Sequence, residues 1–418
     1  MITIRGGSVV TSGGIRTTDV TIEGDRIASI GDTSDSADRV VDASGCWVGP
    51  GLVDLHAHLR EPGQEWKEDI GSASAAAAAG GYTAVVAMPN TVPAIDMGHR
   101  AAFVAERGSR HGKCAVIPAG TLSKDRAGKE LAFLDELIEA GVRIFTDDGD
   151  TLMDAGLLRR AMEYLAGRDC VIAQHAEDPG LAAGGHMHEG TVSARLGMLG
   201  LPSLAEEIVV ARDLALVEET GASYHVQHVS TVGTVSLIRR AKEQGLPVTA
   251  EVAPHHLCFD HREVESMDPD FKMYPPLRTP DDVAELRSAL LDGTIDAVAT
   301  DHAPHADHEQ EVTFEEAPRG VIGLETAVAA TITATGIDQE TLFQRMSTGP
   351  ARIARLAGQG LLLDEGGPAN VVVIDPAATW TPARFVSRAR NSPFLGRLLT
   401  GRVRMTIFDG RVTSEEPS

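Results

Sequence analysis

Aromatic residues are scarce in this chain, with 3 Trp, 4 Tyr and 10 Phe among 418 residues. A core of the size this length allows must therefore be packed from Val, Leu, Ile and Ala. Positive charge is also in short supply. Lys and Arg total 37 against 60 Asp and Glu, a formal net charge of −23. That balance argues against a nucleic-acid partner, which needs a basic footprint, and against an anionic membrane surface. It leaves room for an anionic small molecule, because one or two local Arg residues outweigh a distant field that salt screens. The four cysteines, Cys46, Cys114, Cys170 and Cys258, are far apart and form no Cys-x-x-Cys. Neither a disulfide framework nor a thiolate metal site is expected. No long apolar run is present either. The stretch from Ser72 to Met88 is Ala-rich, is broken by Gly80-Gly81, and is too weakly apolar to span a bilayer. Met1-Ile-Thr-Ile-Arg opens on a strand pattern with no basic region ahead of an apolar stretch, so no signal peptide and a cytoplasmic location are expected.

What is present is a strong alternation. Short runs rich in Val, Ile and Ala begin at Thr83, Cys114, Val142, Cys170, Ser223, Val248 and Ile295, and Gly51-Leu-Val-Asp-Leu-His56 adds an eighth. Helical patterns lie between them, at Leu131–Ala140, Leu157–Ala166, Ser203–Thr220 and Val232–Gln244. Eight strands alternating with helices is the count of a (β/α)8 TIM barrel, an α/β fold. Residues 1–50 instead read as a small antiparallel β unit, and residues from about 368 repeat that style. The expected layout is a composite small β domain from 1–50 plus 365–418, flanking a barrel over 51–364.

Several strands finish on a polar residue: His58, Thr146, His175, His228 and Asp301. Active sites of such barrels sit at the strand C-terminal ends. His56 and His58, two apart on one strand, project the same way, and neutral imidazole suits zinc-like metals. Four histidines with carboxylates fit a dinuclear zinc site. Asp147 or Asp148 could bridge the metals, and Asp301 could both bind metal and exchange a proton with bound water. The histidines His186, His188, His255 and His256 read as structural, and His99, His111, His261 and His308 as surface residues.

These stretches carry a resemblance. Val53-Asp-Leu-His-Ala-His-Leu-Arg-Glu-Pro-Gly63, Met88-Pro-Asn-Thr91, Phe145-Thr-Asp-Asp-Gly149, Ala173-Gln-His-Ala-Glu-Asp178, His225-Val-Gln-His228, Pro275-Pro-Leu-Arg278 and Ala299-Thr-Asp-His-Ala-Pro-His305 run in order along the chain. Together they resemble the dihydroorotase family of the amidohydrolase superfamily, in its single-activity bacterial form. The resemblance implies a zinc-dependent cyclic amidohydrolase of de novo pyrimidine synthesis, interconverting N-carbamoyl-L-aspartate and L-dihydroorotate. It implies two zinc ions: one on His56, His58 and Asp301, the other on His175 and His228, with Asp148 as the bridge. Asp301 would shuttle the proton. Arg60 and Asn90 would grip the substrate carboxylate, with His305 nearby, and the loop at Arg319 and Gly320 would complete the pocket. A homodimer is the family's expectation.

Two positions depart from the family pattern. Tyr274 stands where the family has an Asn that contacts the substrate ring, and Arg319 stands where Phe is common. Related hydantoinases and allantoinases bridge their metals with a carboxylated Lys, but Val142–Asp148 contains none. The alternatives are a cyclic amidase for a hydantoin- or allantoin-like ring, and a non-catalytic scaffold of the pyrimidine pathway.

Overall fold

The computed structural model describes residues 1–31 and 37–416. The apolar runs form eight parallel strands: Leu52–Ala57, Tyr82–Ala87, Ala115–Pro118, Ile144–Phe145, Val171–Gln174, Tyr224–Val226, Val248–Val252 and Ala297–Val298. They are Val-, Ile- and Ala-rich without alternation because both faces are covered, one by the barrel interior and one by helices. The first three pair with one another, and so do the last five. A bridge from Gly120 to Phe145 joins the two sets, and a bridge from Ala57 to His302 closes the ring. The closure is reinforced where the His58 N–H donates to the His302 carbonyl at 2.8 Å. The fold is the (β/α)8 barrel read from the sequence.

Several strands are shorter than their apolar runs. The run from Val142 pairs only at Ile144–Phe145, and the run from Ile295 only at Ala297–Val298. Their polar ends leave the ladder. Arg60, His228 and Asp301 even take left-handed backbone, with φ of 63°, 32° and 46°, a conformation uncommon outside Gly that clusters at functional sites. The helices begin and end on ordinary caps. Asp69 accepts from the Ser72 N–H at 2.8 Å, Thr231 from the Thr234 N–H at 3.1 Å, and left-handed Gly221 ends Leu204–Thr220. The helix expected over Leu131–Ala140 spans only Leu134–Glu139, because Leu131 is held in a bridge to Ser123.

The two chain ends meet in one eight-stranded sheet. Val371–Trp380 runs antiparallel to both Trp47–Pro50 and Leu399–Phe408. The sheet is mixed rather than purely antiparallel, since Arg39–Asp42 and Trp47–Pro50 both run parallel to Ile2–Thr11. Residues 32–36 and 417–418 of the expected β domain lie outside the described residues. The sheet has its own core, with Ile4, Val20, Ile22, Val48, Val371 and Ile407 buried together. Among the described residues, no helix is long and apolar enough to cross a membrane.

The sheet meets the barrel at Gly49, where a Cβ would sit 2.4 Å from Phe343 Cζ. A side chain there must displace a buried aromatic ring. Gly49→Val should therefore lower the thermal melting temperature, with overpacking costing about 1–3 kcal/mol. An unchanged melt followed by circular dichroism would show that this seam tolerates bulk.

Candidate metal centre and active site

The first strand carries His56 and emerges at His58. Both imidazoles have their Nδ1 engaged from behind. His56 Nδ1 lies 2.8 Å from Glu251 Oε1, and His58 Nδ1 lies 2.9 Å from Asn90 Oδ1. Each oxygen accepts, so Nδ1 carries a proton and Nε2 faces inward. There His56 Nε2 lies 3.3 Å from Asp148 Oδ1 and 3.5 Å from Asp301 Oδ1. His58 Nε2 lies 3.2 Å from Asp301 Oδ1 and 3.5 Å from Asp148 Oδ2. His175 and His228, from the ends of the fifth and sixth strands, reach Asp148 Oδ1 at 3.8 and 3.7 Å.

Among the described residues, two groups could hold a metal ion: His56, His58 and Asp148, and Asp148, His175 and His228. Asp148 belongs to both. Of the ring nitrogens that face Asp148, His56 Nε2 is buried without a hydrogen-bond partner, and His175 Nδ1 and His228 Nε2 are turned towards each other at 2.9 Å. Buried polar atoms ordinarily find partners, so an unpartnered imidazole nitrogen and two more crowded together, all directed at one shared carboxylate, have the chemistry of a metal site. The donor set of imidazoles and carboxylates, with no thiolate, suits zinc among the common metals.

Burial and charge compete throughout this cluster. Burial pushes the Asp148 and Asp301 carboxyls up, but His56 and its neighbouring imidazoles outweigh it and hold both below the usual carboxylate range. Burial disfavours a charged His56, yet Asp148, Asp301 and Glu251 raise it well above its ordinary value. His175 goes the other way, down to about 3, through burial and the neighbouring His228. Burial works against the Glu251 anion as well, but hydrogen bonds to His225 and His56 hold it at about 2.

The adjacent carboxylates Asp147 and Asp148 have separate tasks. Asp147 turns away and accepts from the Leu122 N–H at 2.9 Å, the Ser123 N–H at 3.0 Å and the Ser123 hydroxyl. It fastens the third-strand loop, whereas Asp148 faces the histidines.

Beside the cluster is a cavity of about 170 Å³. It brings together every residue expected to contact substrate: Arg60, Asn90, Tyr274, His305, Arg319 and Gly320. His56 lies behind the cavity wall, fully buried. Arg60 Nε donates to the Pro304 carbonyl at 3.2 Å, which leaves its terminal nitrogens free. Burial lowers Arg60 to about 10, so it stays charged at neutral pH. His305 Nε2 donates to the Arg319 carbonyl at 2.9 Å, and burial with Arg60 and Lys67 nearby brings that ring to about 3, hence neutral. Gly320 has φ of 120°, and a Cβ would lie 2.6 Å from the Ala303 Cβ, so only glycine fits.

Sequence reasoning passed over Glu251 and Asp54. Glu251 joins His56 to His225, whose Nε2 lies 3.0 Å from Glu251 Oε2. Asp54 accepts from the Thr300 N–H at 2.8 Å and from its hydroxyl, tying the first strand to the residue before Asp301. The available signal was a carboxylate alone in an otherwise apolar strand, as in Ala250-Glu251-Val252. His261, read as surface, is buried against His188, with ring centroids 5.3 Å apart.

Fold and site together define the class: a (β/α)8 amidohydrolase with metal-binding residues at its strand ends. Similarity to solved structures agrees. L-Hydantoinase (dihydropyrimidinase) from Arthrobacter aurescens superposes with a TM-score of 0.89 at 26% identity, over 100% of this chain and 96% of that one. A D-hydantoinase shares the fold, with a TM-score of 0.81 at 24% identity over 99% and 95%. Sequence similarity is more specific. The family described as "Dihydro-orotase-like" matches residues 45–233. A protein named dihydroorotase from Anaeromyxobacter dehalogenans is 45% identical over 99% of this chain and 98% of its own. Another so named, from Mycobacterium leprae, is 47% identical over 95% and 94%. The chain belongs to the dihydroorotase family.

The division between the two aspartates is open to measurement. Asp147→Ala strands three buried donors and should cost on the order of 2–3 kcal/mol, read as a lower melting temperature. Asp148→Asn, which fastens no loop, should leave the melt of metal-free protein nearly unchanged. Equal losses would place both residues in the scaffold.

Proposed function

We propose that this chain is the enzyme that interconverts N-carbamoyl-L-aspartate and L-dihydroorotate in pyrimidine synthesis, using two zinc ions. The observation that carries the reading is the pair of histidine–carboxylate groups sharing Asp148, beside a small cavity with Arg60 at its wall. In this reading His56, His58 and Asp301 would hold one zinc and His175 and His228 the other, with Asp148 shared between the two groups. Residues 51–364 form the catalytic barrel, and 1–50 with 365–418 form a supporting domain.

Zinc, when bound, supplies a Lewis acid and a water acidified towards a pKa of about 7. The chain's own residues supply position and protons. Arg60 turns its free terminal nitrogens to the substrate carboxylate, where a planar guanidinium makes a bidentate pair. The Asn90 amide nitrogen completes that grip, with His305 nearby in the cavity wall. Asn90 also holds the His58 tautomer, so one side chain couples substrate to metal ligand. In the hydrolytic direction water oxygen adds to the ring amide carbonyl. Asp301, a carboxylate at neutral pH, takes the water proton on Oδ and delivers it to the ring nitrogen as the carbon–nitrogen bond breaks. Synthesis is the reverse path, with the proton moving from nitrogen back to water oxygen.

A second reading, hydrolysis of a hydantoin-type ring, has one observation in its favour: Tyr274 in place of the ring-contacting Asn. Against it stands Asp148 at the centre of the histidines, where the resemblance gives that branch a carboxylated Lys.

Purified protein should turn over L-dihydroorotate, lose activity on zinc chelation and regain it on metal return. Asp301→Asn should lower kcat by about 10²–10⁴ with little change in KM. His58→Ala should lose bound metal in elemental analysis. Full activity in metal-free protein would sink the zinc reading, and an unchanged Asp301→Asn rate would remove the proton role.

A further inference from the structure

Tyr274 stands at the wall of the cavity with its ring fixed by its neighbours. The ring centroid lies 4.6 Å from that of His175, with the planes 40° apart. The Arg319 guanidinium carbon lies 4.2 Å from the Tyr274 centroid, within the range of a cation–π contact. Arg319 is itself committed, because its Nη2 donates to the Gly185 carbonyl at 2.6 Å. The neighbouring Gly320 N–H donates to the Lys272 carbonyl at 2.8 Å. Lys272 in turn donates its ammonium protons to the carbonyls of Phe314, Glu315 and Ala317 at 2.6, 2.8 and 2.7 Å. The loops after the fifth, seventh and eighth strands are therefore knitted around one aromatic ring. The positive charge of Arg319, which the sequence alone would offer to an anionic substrate, is taken up by that ring and a backbone carbonyl.

We propose that Tyr274 is a specificity-determining residue acting through its ring: clamped by Arg319 beside His175, it restricts the cavity to a small cyclic amide and excludes rings with a bulky substituent. This rests on the cyclic-amide reading above. A phenol has one hydroxyl and cannot reproduce the donors and acceptor of an amide side chain, so its contribution lies in shape. The cavity is about 170 Å³, small beside the ~300–1,000 Å³ common for drug-sized ligands. A ring with only two side-chain torsions, stacked and clamped, has little freedom to swing aside.

The test is steady-state kinetics of zinc-loaded, full-length protein on L-dihydroorotate and on 5-benzylhydantoin. Tyr274→Phe keeps the ring and should hold the benzylhydantoin-to-dihydroorotate ratio of kcat/KM within about threefold of wild type, while Tyr274→Ala should raise that ratio at least about tenfold, the scale of a small steric contact. Arg319→Met, which loosens the clamp and leaves the ring, should move the ratio the same way. It decides the matter if Tyr274→Ala melts early or loses metal. A ratio that rises in Tyr274→Phe as far as in Tyr274→Ala would make the hydroxyl the determinant and overturn the proposal. So would a ratio that moves in neither Tyr274→Ala nor Arg319→Met. Wild-type protein inactive on dihydroorotate would overturn the underlying reading instead, and this inference with it.

Discussion

Asp148 and Asp301 are buried carboxylates within 3.8 Å of imidazole nitrogens, and the rest of the site depends on that arrangement. An uncompensated buried charge costs several kcal/mol even after relaxation. Positive charge must therefore reside among these side chains, either as a proton on His56 or as a cation held between the rings. The surroundings favour the second. Glu251 and Asn90 fix protons on the outer nitrogens of His56 and His58, so that each Nε2 faces inward. A metal-ligating histidine ordinarily has such a partner on its other nitrogen. A cation held between the rings would thus take the place of the proton that Asp148 and Asp301 otherwise hold on His56.

The same strand ends close the barrel. His58 donates its backbone N–H to His302, next to Asp301. Asp54, two residues before His56, holds Thr300, the residue before Asp301. Burial pushes the Asp54 carboxyl up to about 7 even with those bonds. The positions of His56, His58 and Asp301 are consequently set by the hydrogen bonds that join the first and eighth strands. Fold closure and site geometry are one set of contacts, so the left-handed backbone at Arg60 and Asp301 is held by structure on both sides.

The parts of the site legible in the sequence are those with a period or a terminus. His56 and His58 share a face because strands repeat every two residues, and His175, His228 and Asp301 each end an apolar run. The choice between Asp147 and Asp148 was not legible from spacing, since adjacent residues in a loop have no fixed face. Only the placement of Leu122 and Ser123 shows which one is engaged. Glu251 and Asp54 stand out in the sequence only as lone carboxylates in apolar strands, and nothing local names their partners, since His56 and Thr300 lie 195 and 246 residues away. The mixed character of the small sheet was hidden for a related reason: alternation marks a strand but does not record its neighbour's direction. His261 looked exposed because its sequence neighbours are charged, yet its own ring packs inward on His188.

A chain of net charge −23 that takes an anionic substrate must reverse its field locally. Screening confines that problem to about 8 Å at physiological ionic strength, so a few residues suffice. Arg60 remains charged in the cavity wall, and Lys67 lies behind it, 3.0 Å from Glu309 and 3.4 Å from His305. Lys67 is largely neutralised by that glutamate, and Arg319 is turned to Tyr274 and Gly185. Arg60 is then the principal full positive charge offered to a carboxylate in the cavity, with its Nε already committed to the Pro304 carbonyl. Recognition of a carboxylate there is directional rather than diffuse, because one planar guanidinium carries it.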